Sequence, residues 1–196
     1  MPIDRERIAA DLAHVPAVAG RDGRHAVFGV SACRLPADLW YGFAQRLAGA
    51  LGDELSAEAE ELLGEAARES AYHLAYGIVT SEAWCQVVAP CVQRPPADTL
   101  QGACAVFAAC GWPAVEIVDF VPGRRLGLRA IDDVPAVAGG APRFDRERAI
   151  MARGMAAALM DLAYSPRAYP DGMGEFHCRG RAAAGVDRAD FTAARA

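Results

Sequence analysis

The sequence predicts an α+β fold, in which N-terminal helices are followed by a β-hairpin, a helix and a second β-hairpin, and the hairpins form a four-stranded antiparallel sheet covered by helices. Two observations predict it. Apolar residues recur every three or four positions through much of the first half of the chain, as in amphipathic helices. The period then changes to two at residues 114–131 and again in the C-terminal region, with a helical stretch between. A length of 196 residues favours one domain with a real core.

The N-terminal region carries the weakest pattern. Residues 4–15 are weakly helical, and residues 21–30 contain a turn followed by a short β-prone run. We therefore expect residues 1–35 to form an N-terminal extension and residues 36–196 to form the main domain.

Two long helices are predicted next. The first begins at Pro36, has apolar residues spaced by four, and ends near Gly52. Ser56 is expected to cap the second helix, residues 57–80, because a serine side chain can accept a hydrogen bond from a backbone N–H of the first turn. The glutamates in that turn also suit the positive end of a helix. This second helix is predicted to be the longest in the protein.

Beyond residue 80 the chain is expected either to kink or to restart at the sequence TSEAW. It should stay helical until Pro90 and the Arg-Pro-Pro at residues 94–96 interrupt it. Asp98 is then expected to cap a further helix that ends at Gly111.

The strands follow as two hairpins. Residues 114–121 and 124–131 alternate on either side of a tight turn at Pro122 and Gly123. Residues 146–164 form a helix dense with small residues and methionine, which suits packing flat on a sheet. The segments EFHCRGRAA and ADFTAAR then form the second hairpin, which turns around residues 184–187.

Composition argues against several classes of function. The net charge is −5, and the 20 basic residues are scattered among 25 acidic ones, which argues against nucleic-acid binding. No stretch is apolar enough for a membrane span and the N-terminus is charged, so we expect a cytoplasmic protein. Six cysteines without a CxxC pair are expected to be free thiols, with neither a structural zinc nor a cofactor.

The stretch GEFHCRGRAAAG holds the first candidate site. As a strand, it places Glu175 and His177 on one face and Phe176 and Cys178 on the other. Because His177 and Cys178 then point to opposite faces, His177 is not expected to be the base that activates Cys178. Two interpretations stay open: Cys178 packs against a helix while the polar residues are solvated, or one of the two faces borders a cavity.

The second candidate is a polar and aromatic stripe on the long helix. Offsets of three and four place five side chains on one side: Glu69, His73, Tyr76, Thr80 and Trp84. Such a stripe could form the wall of a small-molecule pocket. The alternative is a surface pair of Glu69 and His73, with the aromatic residues half-buried at the edge of the core.

Three segments resemble the 4-vinyl reductase superfamily of small-molecule or "hydrocarbon-binding" domains: ELLGEAARESAYHLAYGI, ACGWPAVEIVDFVPGRRLGLRAIDD and EFHCRGRAAAGVDRADFTAA. They cover roughly residues 60–196. The superfamily's relatives include phenol-sensing regulator domains and hydrolase-like proteins of the L-2-aminothiazoline-4-carboxylate type. The resemblance implies a pocket enclosed between the antiparallel sheet and the helices, in a homodimer.

The resemblance also bears on metal binding. In the phenol-sensing relatives, a Glu-x-x-Cys followed by a second Cys eight residues later binds zinc. Glu175 and Cys178 match the first part of that pattern, but Val186 stands at the later position. We therefore expect no metal.

Two functions follow as expectations. The first is a domain that binds a small, largely apolar or aromatic/heterocyclic molecule through Glu69, Tyr76, Thr80, Trp84, Phe176 and His177. The second is a metal-free hydrolase of a small heterocyclic or amide-like substrate, with His73 or Cys178 as the catalytic group. An adaptor that uses the fold only for protein contacts is the third possibility. A small molecule and a second copy of the chain are the expected partners.

Overall fold

A computed structural model describes residues 4–14, 18–19, 25–27, 30–32, 37–131, 146–165, 175–179 and 190–195. The elements follow in this order: α1 Arg5–Ala13, β1 Val18–Ala19, β2 His25–Val27, β3 Val30–Ala32, α2 Ala37–Thr80, a π-helical segment Trp84–Val88, a 3-10 turn Ala89–Cys91, α3 Ala97–Ala109, β4 Val115–Val121, β5 Arg125–Ala130, α4 Arg146–Tyr164, β6 Phe176–Arg179 and β7 Asp190–Arg195. The predicted α+β class is confirmed.

The main sheet has four antiparallel strands in the order β4-β5-β7-β6. The first hairpin is confirmed, with Gly123 in the left-handed region at φ 67° in its turn. The two hairpins join through β5 and β7, where Leu128 pairs with Phe191. β6 therefore lies at an edge of the described sheet. The predicted turn at residues 184–187 lies outside the described residues.

Gly52 divides the long helix α2. Its φ of 73° and ψ of 173° belong to a region that is open essentially to glycine alone, so the first predicted helix ends where expected. The predicted cap at Ser56 is wrong, because the helix resumes directly after Gly52 and continues through residues 53–56.

Ser81 follows the last residue of α2 and interrupts the helix. Its hydroxyl donates to the carbonyl of Ile78 (2.7 Å) and accepts from the backbone N–H of Trp84 (3.1 Å). This local bonding competes with the regular helical ladder, and a π-helical segment follows. The consequence is that Trp84 leaves the stripe predicted for it and enters the core, where it is 7% exposed.

Asp98 does not cap α3, contrary to the prediction. Its carboxylate accepts hydrogen bonds from the backbone N–H groups of Arg94 (2.8 Å) and Gln93 (3.0 Å), which precede the helix. These two bonds favour the charged form and lower the pKa of Asp98 below its usual value. Asp98 thus fixes the turn that leads into α3.

Helix α4 is the centre of the packing. It lies between α2 and the sheet, contacting β5, β6 and β7 on the sheet side. Nearly every residue of its central part is buried, in keeping with its small side chains. Ile8 and Leu12 of α1 join the same hydrophobic core beside α3, so the helical part of the predicted extension packs with the main domain.

Gly154 sets how closely α4 approaches α2. A Cβ atom at this position would lie 2.6 Å from the backbone nitrogen of Arg68 and 2.8 Å from the carbonyl carbon and the Cβ of Ala67. Real Cβ atoms do not come that near to other heavy atoms, so any larger residue would push the two helices apart.

None of the described helices has a stretch that is both long and apolar enough to cross a membrane.

We predict that Gly154→Ala lowers the free energy of unfolding by about 1–3 kcal/mol, because the added methyl group meets a helix backbone that cannot move aside. Gly49→Ala is the matched control, since a Cβ atom there would meet nothing within 4 Å. That control should raise stability by up to about 1 kcal/mol, through helix propensity alone. Urea denaturation followed by circular dichroism measures both, and equal effects of the two changes would contradict the close packing.

Candidate functional site

A cavity of about 270 Å³ lies where α2, α4 and β6 meet. Three elements that are distant in sequence supply its described walls. The lining residues are Glu61, Gly64, Glu65 and Arg68 from α2, Arg153, Gly154 and Ala157 from α4, and His177 and Cys178 from β6. The small residues at the helix crossing leave the space, and charged or polar side chains surround it.

A buried ion pair holds these walls together. Arg68 and Asp161 are 3% and 0% exposed, and the Arg68 guanidinium donates to Asp161 Oδ2 from Nη2 (2.7 Å) and from Nε (2.9 Å). The second carboxylate oxygen of Asp161 accepts from the backbone N–H groups of Glu175 (2.9 Å) and Phe176 (3.1 Å). Asp161 therefore ties α2, α4 and the start of β6 together. Arg68 also contacts Glu65 Oε2 through Nη1 (3.3 Å).

Arg153 is the second cation of the cavity. Its Nε atom is buried and has no hydrogen-bond partner, and none of the described carboxylates forms an ion pair with it. Its Nη2 atom lies 3.7 Å from the point where a Cβ of Gly64 would be. The guanidinium of Arg153 thus lies beside the space that glycine leaves open.

His177 and Cys178 both line the cavity, although neighbouring residues of a strand point to opposite faces. The edge position of β6 explains this, because a cavity beside a sheet edge can be reached from both faces. One residue from each face of this strand therefore lies along the cavity.

The surroundings of Cys178 disfavour ionisation of its thiol. Burial raises the pKa of Cys178 from 9.0 to about 11, and the opposing effects of the Arg153 charge and a backbone hydrogen bond from Thr192 are smaller. At neutral pH the thiol is protonated, and a protonated thiol is a poor nucleophile. The side chain serves the cavity as a small, weakly polar group.

The stripe predicted on α2 lies outside this cavity. Glu69 and His73 are exposed, with His73 Nε2 3.9 Å from Glu69 Oε1, as in the surface-pair alternative. Tyr76 is 57% exposed, and the hydroxyl of exposed Thr80 donates to the Tyr76 carbonyl (2.7 Å). The face of α2 that carries these residues points to solvent, because its opposite face packs on α4.

Phe176 is a core residue. It is fully buried, its ring lies 6.4 Å from that of Tyr164, and the guanidinium of Arg195 covers it at 5.4 Å from the ring centre. Its role is to anchor the start of β6 to the core. Only His177 and Cys178 of the predicted site residues therefore line the cavity.

Seven described lining residues were missed: Glu61, Gly64, Glu65, Arg68, Arg153, Gly154 and Ala157. A signal for two buried charges was present. Arg68 shares a helix face with Ala71, Tyr72 and Ala75, and Asp161 interrupts the small, apolar residues of α4. Charged residues on otherwise apolar helix faces need partners, which predicts that the two would pair.

No protein-family model matches the chain, and no curated protein matches it. Within the described part of the chain, no three His, Cys, Asp or Glu side chains come together as a group that could hold a metal ion.

We predict that Asp161→Asn lowers the free energy of unfolding by about 3–5 kcal/mol, because it removes the buried counter-charge of the Arg68 guanidinium and leaves only the exposed Glu65 beside it. The matched control is Asp119→Asn, which breaks the ion pair with half-exposed Arg125. That surface pair should contribute no more than about 1 kcal/mol. Urea denaturation measures both variants, and a loss of 1 kcal/mol or less for Asp161→Asn would show that the buried pair does not hold the walls.

We predict that iodoacetamide alkylates Cys178 at least tenfold more slowly than exposed Cys85 at pH 8, because the reaction needs the thiolate. The rate at Cys178 should rise as the pH approaches 11, and the two rates should converge in denaturant. The folded state also holds this proton more tightly than the unfolded state does, so stability should fall as the pH rises from about 9 toward 11. Mass spectrometry of the two peptides gives the rates, and rapid alkylation of folded Cys178 at pH 8 would contradict the raised pKa.

Proposed function

We propose that this domain binds a small molecule in the cavity between α2, α4 and β6. The observation that carries the proposal is the convergence of charged and polar side chains from three elements on one space of about 270 Å³. Small-molecule sites are concave and present a few placed polar groups. The resemblance to the 4-vinyl reductase superfamily, with its pocket between helices and sheet, supports the same function. Cytoplasmic location and a homodimer stay predictions.

The lining favours a small ligand with polar groups. The described walls contain two arginines, two glutamates, an imidazole and a thiol, whereas the apolar contribution comes from glycine and alanine. A ligand buried against such walls must satisfy their hydrogen-bonding groups, because unpaired buried polar groups are costly. Pockets for drug-sized ligands start at about 300 Å³, so this one suits a smaller molecule. Of the ligands first expected, a polar heterocycle fits better than a hydrocarbon.

The buried ion pair supports binding because it makes the site rigid. Arg68 is fixed by two hydrogen bonds to Asp161, and Asp161 in turn fixes the first backbone N–H groups of the strand that carries His177. A site whose walls are already in place loses less conformational entropy on binding. The cavity is thus built to receive a ligand without rearranging.

A metal-free hydrolase is the second candidate, and the observation that favours it is that His177 and Cys178 line the same cavity. In that function His177 would act as the general acid or base. Cys178 is a weak candidate for the nucleophile, because its pKa of about 11 keeps the thiol protonated at neutral pH. Rapid alkylation of Cys178 in the experiment above would favour the hydrolase with a thiolate nucleophile.

We predict that polar heterocyclic fragments bind the wild-type protein in a ligand-observed NMR screen and that Gly64→Leu weakens this binding at least tenfold. The leucine side chain would extend toward Arg153 and fill the cavity. Gly49→Leu is the matched control, because it adds the same side chain to the same helix where a Cβ atom meets nothing.

Gly49→Leu should keep wild-type affinity, and circular dichroism should show that both variants are folded. Native mass spectrometry of the purified wild-type protein provides a second measurement, since a retained small molecule should be absent from Gly64→Leu. A blank screen, or binding that Gly64→Leu leaves unchanged, would contradict a ligand site in this cavity.

A further inference from the structure

The two arginines of the cavity differ in whether their guanidinium groups already have hydrogen-bond and ion-pair partners. Arg68 is occupied by its bonds to Asp161 and by its contact with Glu65. Arg153 has a buried Nε–H without an acceptor, and no ion pair joins it to another described residue. Arg153 lines the cavity, and its guanidinium carries a positive charge that no described carboxylate neutralises. An acceptor in the cavity would meet the Nη groups of Arg153, because the buried Nε atom does not border the open space.

We propose that Arg153 binds a carboxylate group of the ligand. This inference rests on the proposed function and names the chemical class of its ligand. The two Nη groups of an arginine form a planar fork that matches the two oxygens of a carboxylate. The glycine at position 64 leaves open the space next to the Nη2 atom of Arg153, where such a group would lie.

The charges of the cavity favour a monovalent carboxylate over a phosphate. Asp161 neutralises Arg68, which leaves the single charge of Arg153 for the ligand. A dianion would bring a second negative charge toward Glu61 and Glu65, which also line the cavity. Those two glutamates are exposed, so solvent screens their repulsion of a single negative charge bound at Arg153.

Arg153 and Cys178 line the same cavity, one from α4 and the other from β6. In keeping with this, the charge of Arg153 acts to lower the pKa of the Cys178 thiol. A carboxylate bound there would have Arg153 on one side and the His177–Cys178 wall on the other. The remainder of the ligand would then extend toward Glu65, where α2 opens to solvent.

The experiment compares benzoate with benzamide, two probes of nearly equal shape that differ in charge. Isothermal titration of the wild-type protein should give an affinity for benzoate at least tenfold above that for benzamide, because a charge-assisted bond is the stronger one. Arg153→Gln should remove this preference, and Arg153→Lys should keep only part of it. Arg124→Gln is the matched control, because it removes the same charge from an exposed residue outside this lining, and it should keep the preference. Circular dichroism confirms that each variant is folded.

Equal affinity for the two probes, or a benzoate preference that survives in Arg153→Gln, would overturn the assignment. Tighter binding of inorganic phosphate than of benzoate would overturn it too, in favour of a phosphate ligand. In these cases the proposed function stands if Gly64→Leu still abolishes probe binding. If neither probe binds, the assignment fails, and the fragment screen decides separately whether the cavity binds any small molecule.

Discussion

The Arg68–Asp161 ion pair joins parts of the chain that are 93 residues apart, and the arrangement of α2, α4 and β6 depends on it. Burying two charges costs more than their attraction returns unless each remaining polar atom finds a partner. Both carboxylate oxygens of Asp161 have partners. One accepts from the Arg68 guanidinium, and the other accepts from two backbone N–H groups at the start of β6. A pair of apolar residues could fill the same volume, but it could not fix the strand and the helix at once. The pair therefore specifies one arrangement of the elements as well as stabilising it.

The same arrangement produces the cavity. Gly154 allows α4 to touch the backbone of α2 at Ala67 and Arg68, and Gly64, one turn earlier on α2, leaves a gap beside Arg153. Because β6 is at the edge of the sheet, no further described strand closes the gap on that side. The cavity is thus the space left between two closely packed helices and a sheet edge, and its polar lining follows from the charged residues that hold this junction.

Local patterns predicted most of the fold but little of the site. Alternation located both hairpins, and Gly52 and Gly123 marked a helix end and a turn, because these features depend on neighbours in sequence. The cap predicted at Ser56 was wrong because the helix resumes directly after Gly52, before the serine. The predictions for Asp98 and Trp84 were wrong because each depended on which of several nearby hydrogen bonds forms, and a pattern of residue types does not decide that. The α2 stripe was chosen for its chemistry, yet which side of α2 faces the core is set by α4, far along the chain. The lining residues come together only through that long-range packing, so spacing within one element could not reveal them.

Arg153 also links ligand binding to the chemistry that Cys178 can perform. Its charge is one of the two influences that lower the pKa of Cys178 against the larger effect of burial. A carboxylate bound to Arg153 would cancel that charge, and a bound ligand would also exclude water from the strand wall, so both changes would raise the pKa of the thiol further. Occupation of the cavity by an anion would therefore oppose formation of the thiolate. Nucleophilic catalysis needs the opposite, a thiolate that forms while the substrate is bound, and this conflict argues against a hydrolase that uses Cys178 as its nucleophile.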